Sequence, residues 1–106
     1  MTVVIAVPHH EPWIVAGWAY RMLKAAALPL LTHAEDKYKL EQAGALSILD
    51  FDLLDSEQGR RIALAVEYAA IELRAQLIAG PQDDPRDAEF ADILADLARS
   101  LHGLYD

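Results

Sequence analysis

Residues 56–81 read SEQGRRIALAVEYAAIELRAQLIAGP, and this stretch holds the longest helical pattern in the sequence. Its apolar residues recur at spacings of three and four, which is the period of one face of an α-helix. Asp55 or Ser56 can cap the start of this helix, and Gly80 followed by Pro81 can end it. The predicted core face consists of Ile62, Val66, Ala69, Ala70, Leu73 and Leu77.

The same helix carries more apolar residues on its other side, namely Leu64, Tyr68, Ile71 and Ile78. A helix that is apolar on two sides is either surrounded by the rest of its own chain or placed at a subunit interface. We therefore expect this helix to be central in the protein or to contact another subunit.

An earlier helical pattern begins at Pro12, which suits the first position of a helix because a missing N–H costs nothing there. Pro29 stops the pattern, so we predict a helix over residues 12–28. Its apolar residues at helical spacing are Trp13, Ala16, Gly17, Tyr20, Leu23 and Ala27.

The next pattern is a capping box, in which the Thr32 hydroxyl and the Glu35 carboxylate each satisfy a backbone N–H at a helix start. Gly44 is the expected left-handed residue that closes this helix, because glycine has no Cβ to clash there. The sequence thus predicts a helix over residues 33–43.

A last helix is predicted over residues 85–102, with Asp84 as its cap and Pro85 at its first position. One apolar stripe runs along it, formed by Phe90, Ile93, Leu94, Leu97, Leu101 and Leu104. The opposite side holds mainly acidic residues, so the solvent face of this helix is expected to be acidic.

The N-terminal residues Val3, Val4, Ile5 and Val7 are mostly β-branched and favour a strand, whose candidate partner is the apolar stretch 45–51. We therefore predict a mainly α protein: a compact bundle of about four helices in one domain, residues 1–106, with a short N-terminal strand. The alternative is an α+β fold with a two-stranded sheet.

Negative charge is concentrated in the second half of the chain. The net charge is −8; residues 1–49 hold four acidic and four basic side chains, whereas residues 81–106 hold seven acidic and two basic ones. Nucleic-acid binding draws most of its affinity from Lys and Arg on phosphates, so we expect no nucleic-acid partner.

The sequence predicts a cytoplasmic protein. There is no cysteine, which excludes disulfides and thiolate zinc sites and suits a reducing compartment. The N-terminal apolar run lacks a preceding positive residue and is shorter than the core of a signal peptide. The most apolar stretch, residues 13–31, contains Arg21, Lys24 and Pro29, so we expect no membrane span.

No motif in the sequence demands catalysis. The segment His9-His10-Glu11 could supply metal ligands, but adjacent side chains diverge and closed zinc sites need four donors. Asp50, Asp52 and Asp55 could hold Mg²⁺, although aspartates at this spacing also cap helices and form turns. A G-x-S-x-G motif is absent. We expect no enzyme activity, no cofactor and no metal.

The charge pattern favours binding to another protein that has a basic site, because complementary charge speeds encounter and selects the partner. The residues that combine negative charge with expected exposure are the predicted partner-binding residues: Asp50, Asp52, Asp55, Asp83, Asp84, Asp87, Asp92 and Asp96.

In size, acidity and lack of cysteine, the whole chain resembles the immunity proteins of bacterial toxin systems, including contact-dependent inhibition. These proteins share no single fold, and the resemblance carries no motif. It implies a cognate toxin domain, often a nuclease, that is blocked by occlusion. The alternative, suggested by the helices that are apolar on two sides, is a self-assembling regulatory or structural module, for example a homodimer.

Overall fold

Four α-helices and three strands follow one another in the described part of the chain. The computed structural model of the protein describes residues 1–80 and 84–105. The elements are β1 (Thr2–Ala6), β2 (Trp13–Ala16), α1 (Gly17–Ala27), α2 (Ala34–Leu46), β3 (Ile48–Asp50), α3 (Ser56–Ala79) and α4 (Pro85–Leu101), with short 3₁₀ turns at Leu28–Leu30 and Phe51–Leu53. The predicted mainly α fold with an N-terminal strand is confirmed.

The strands form one small mixed sheet in the order β2-β1-β3. The predicted strand β1 lies in the centre, antiparallel to β2 and parallel to β3, and Val4 is paired with Ile14 on one side and Ile48 on the other. The predicted partner within residues 45–51 is therefore confirmed as β3. The sheet has one strand more than the predicted alternative.

Strand β2 corrects the predicted helix over residues 12–28, because residues 13–16 are extended and α1 begins only at Gly17. Trp13 and Val15 are buried while Ile14 between them is exposed, which is the alternation of a strand. Pairing with β1 therefore overrides the helical spacing of these residues. The Gly17 N–H donates to the Met1 carbonyl at 2.9 Å and fixes the point where the helix begins.

Helix α2 begins and ends differently from the prediction. The residue before its first turn is His33, which makes no side-chain capping bond, so the capping box of Thr32 and Glu35 is wrong. The left-handed residue that ends α2 is Ser47, with φ of 63°, and not Gly44. Gly44 lies inside the helix instead and faces the Tyr20 ring of α1, from which a Cβ would be 3.4 Å away.

Helices α3 and α4 match the prediction and form an antiparallel hairpin. The Asp55 carboxylate accepts from the Gln58 N–H at 2.9 Å, and the Asp84 carboxylate accepts from the Arg86 N–H at 3.0 Å, so both predicted caps are present. Gly80 follows α3 but is extended and not left-handed. The Arg60 guanidinium donates to the Tyr105 carbonyl at 2.7 Å, which ties the end of the chain to the start of α3.

The core lies between the sheet and the helices. The inner face of the sheet is apolar, and Val3, Ile5 and Leu49 are almost completely buried. The α3 and α4 residues that complete this core are Ile62, Val66, Ala69, Ala70, Leu73, Phe90, Leu94 and Leu97. Within residues 1–80 and 84–105, no helix is long and apolar enough to cross a membrane.

Candidate functional site

The predicted partner-binding aspartates do not share one patch. Asp50, Asp52 and Asp55 lie just before the start of α3, whereas Asp84 and Asp87 lie at the start of α4. In the antiparallel hairpin these positions are at opposite ends, and α3, with its 24 residues, is about 36 Å long. Asp92 and Asp96 lie between the two ends, on α4. Asp83 falls outside the described residues.

The aspartates before α3 are engaged in local backbone structure. The Asp50 carboxylate accepts from the Asp52 N–H at 3.0 Å, and Asp55 caps α3. These bonds organise the turn that joins β3 to α3, as aspartates commonly do in turns and caps. The arrangement therefore gives Asp50 and Asp55 a structural role.

The start of α4 carries a second cluster, in which the charge of Asp84 is paired. The Arg86 guanidinium donates to Asp84 Oδ2 at 2.8 Å and 3.1 Å and to Asp84 Oδ1 at 3.3 Å, and these bonds lower the pKa of Asp84. The same guanidinium lies 5.8 Å from the centre of the Trp18 ring, which in turn meets the Phe90 ring edge-on. This cluster attaches the start of α4 to α1.

The acidic face of α4, formed by Glu89, Asp92 and Asp96, is exposed. Spacings of three and four place these carboxylates in one row along about 10 Å of helix. Asp96 pairs with Arg99, whereas Glu89 and Asp92 make no ion pair with any described residue. The predicted acidic solvent face of this helix is thus present, and Glu89 belongs to it although it was not among the predicted binding residues.

A buried carboxylate that the sequence did not reveal lies at the junction of α2 and α3. Asp36 has no exposed surface, and both of its oxygens accept from the Arg61 guanidinium, at 2.6 Å and 3.0 Å. These hydrogen bonds hold the pKa of Asp36 below its ordinary value, against the effect of burial. Arg61 also reaches the exposed Glu35 at 3.1 Å.

No signal in the sequence could have found this pair. In α2 the acidic residues Glu35 and Asp36 both occupy the first turn, where a negative charge is favourable for any helix. Asp36 is buried and Glu35 remains exposed because α3 packs against α2. This packing brings Arg61, which is 25 positions away in the sequence, to Asp36.

His10 and His102 each contact another side chain of the protein. The His10 ring stacks on the Trp13 ring, with 4.1 Å between the ring centres, and His102 contacts the largely buried Glu67 at 2.8 Å. Among the described residues there is no group of three His, Asp or Glu side chains arranged to hold a metal ion. The depression beside Glu67 and His102 has a volume of about 450 Å³ and is open to solvent.

The outer side of α3 is an apolar surface that no α4 or sheet residue covers fully. Leu64, Tyr68 and Ile71 are 50%, 56% and 51% exposed. Of the two placements expected for this helix, the central one is present on its inner side, which lies in the core. Its outer side is exposed in the single chain, so the contact with another subunit stays a prediction.

Comparison with known proteins gives no family to assign. The chain matches no protein-family model, and no curated protein or solved structure is detectably similar to it.

Proposed function

We propose that this chain is a non-catalytic, cytoplasmic protein-binding module, and specifically an immunity protein that neutralises a cognate toxin domain with a basic active site. The observation that carries the proposal is the acidic face of α4, where Glu89, Asp92 and Asp96 form one exposed row. Nucleases have the cationic clefts that such a row fits, so a nuclease toxin is the favoured partner.

The chemistry of this face suits inhibition by occlusion. A row of carboxylates attracts a cationic cleft from a distance and raises the rate of encounter. The opposite side of α4 is held in the core by Leu94 and Leu97, so the row is presented on a rigid element. A rigid surface loses little conformational entropy on binding, which favours tight blocking of the cleft.

The experiment uses the protein encoded by the reading frame beside this one, because toxin and immunity genes of this class are neighbours. The two proteins are mixed in a stopped-flow instrument at several salt concentrations. We expect fast association that slows as salt rises. The triple variant Glu89→Gln/Asp92→Asn/Asp96→Asn should associate at least about tenfold more slowly and show a flatter salt dependence.

A matched control separates the α4 face from net charge. The triple variant Glu11→Gln/Asp52→Asn/Glu57→Gln changes the same number of exposed carboxylates away from α4. We expect it to retain nearly the full association rate. Equal slowing of both variants would show that only net charge matters, and no binding to the neighbouring protein would contradict the proposed function.

A further inference from the structure

The α3 seam, defined as Leu64, Tyr68, Ile71 and Ala75, is exposed along its whole length. Its residues follow one another at spacings of four, three and four, which are the core positions of a heptad repeat. The seam covers about 16 Å of helix, and three of its side chains, Leu64, Tyr68 and Ile71, are large apolar groups whose burial would be favourable. This spacing is the one by which two helices pack side by side.

We infer that the α3 seam binds a second copy of this chain, as an antiparallel pair of α3 helices. The two-fold axis of this pair crosses α3 at the level of Ala69 and Ala70, midway along the seam. Tyr68 then faces Ile71 of the second copy, and Leu64 faces Ala75 of the second copy. Each layer therefore sets a large side chain against a smaller or differently shaped one, which lets the helices approach closely.

Charge complementarity selects the second copy and the antiparallel orientation. Glu67 and Arg74 flank the seam on the side of α4 and line the same depression. Arg74 is exposed, whereas Glu67 is largely buried and its carboxylate also contacts His102 at 2.8 Å. An antiparallel pair places the Glu67 carboxylate beside Arg74 of the second copy, and the symmetry repeats this contact. A parallel pair would instead place Glu67 beside Glu72 of the second copy, and the two like charges would repel.

The surface beside the seam leaves room for the second copy. A depression of about 450 Å³ lies between α3 and α4, and another of about 300 Å³ lies between α3 and the segment that includes Leu30 and His33. Side chains as large as Tyr68 need such space at the edges of a helix pair. The seam shares no residue with the acidic face of α4, so this inference does not rest on the proposed function.

The first experiment measures mass by sedimentation from about 1 to about 100 µM. We expect the wild-type protein to be a dimer at the upper end of this range. Ile71→Glu should be a monomer throughout, because it places a charge in the centre of the pair. Arg74→Glu should weaken the dimer at least about tenfold, because it faces Glu67 of the second copy.

Two control variants match these changes in chemistry. Leu53→Glu alters an exposed leucine outside α3, and Arg21→Glu reverses an exposed arginine on α1. Both should remain dimeric, and circular dichroism should show that every variant is folded. A wild-type protein that is monomeric at about 100 µM would overturn the inference, as would a dimer that Ile71→Glu leaves intact.

The second experiment tests the orientation by disulfide formation, which is free of background because the chain has no cysteine. In the antiparallel pair, Leu64 of one copy meets Ala75 of the other, whereas the two Leu64 residues are about 16 Å apart along the axis. An oxidised mixture of Leu64→Cys and Ala75→Cys chains should form a mixed disulfide. Each variant alone should not, and a disulfide between two Leu64→Cys chains would show a parallel pair.

Discussion

Two aspartate–arginine pairs in different regions of the molecule show how burial decides what an aspartate does. Asp36, at the junction of α2 and α3, has a fully buried side chain that accepts two hydrogen bonds from Arg61. Asp96, on the outer face of α4, pairs with Arg99, but both side chains are at least half exposed. The first carboxylate holds two helices together, whereas the second remains available to solvent or to a partner.

The largest effect is expected at the buried pair. Asp36→Asn keeps the shape of the side chain but removes the charge that Arg61 binds. The free energy of unfolding should fall by about 2–3 kcal/mol, because charged hydrogen bonds to a fully buried side chain are lost. Urea unfolding followed by circular dichroism measures this change.

The control for this variant is its neighbour in sequence, which binds the same arginine. The Glu35 carboxylate also meets Arg61, at 3.1 Å, but the Glu35 side chain is 68% exposed. Glu35→Gln should therefore change stability by less than about 0.5 kcal/mol. Equal losses from the two variants would show that burial does not distinguish the two carboxylates.

The dependence of the unfolding free energy on pH, in the acid range, gives an independent test of the pair formed by Asp36 and Arg61. Because Arg61 lowers the pKa of Asp36 in the folded state, its contribution is complete above the pKa of an unfolded aspartate, about 3.9. The contribution is lost as the pH falls below that value and through the lowered pKa. The difference in unfolding free energy between wild type and Asp36→Asn should thus shrink below about pH 4.

The other carboxylates are present in both proteins, so their contributions to the unfolding free energy cancel in the difference between wild type and Asp36→Asn. Urea unfolding at pH 7, 4 and 2.5 is sufficient. A difference between the two proteins that stays constant over this range would mean that the Asp36 pKa is not lowered by folding.

An intermediate effect is expected where a carboxylate is exposed but bonded to the backbone. Asp55→Ala removes the acceptor of the Gln58 N–H and should cost about 1 kcal/mol. Ser56→Ala is the matched control, because the sequence allowed either residue to be the cap and the structure selects Asp55. If thermal unfolding shows a larger loss for Ser56→Ala, the assigned cap is wrong.

The helical hairpin could be predicted because its signals are local. The caps Asp55 and Asp84 stand next to the helices that they begin, and the apolar period continues through both helices. The acidic face of α4 follows from the same period, since a helix that buries one stripe must expose the other. For this half of the molecule, neighbouring residues carry the necessary information.

The N-terminal half could not be predicted as well because it depends on residues distant in sequence. Strand β2 exists through its pairing with β1, and local spacing alone favoured a helix there. Gly44 was expected to end α2, but the helix continues past it beside the Tyr20 ring and ends at the left-handed Ser47. The Asp36–Arg61 pair likewise needs the packed helices, and so does the separation of the acidic residues into distant groups.

The smallest effect on stability is expected at the acidic face of α4. Asp92→Asn/Asp96→Asn removes two exposed charges and one exposed ion pair, so the free energy of unfolding should change by no more than about 0.5 kcal/mol. Removing two negative charges from a strongly acidic chain also lowers self-repulsion, which offsets the lost contact with Arg99. Urea unfolding at pH 7 measures the change, with Asp36→Asn as the destabilised reference. A loss as large as that of the reference would mean that these carboxylates maintain the fold, and the contrast between a structural aspartate and an available one would fail.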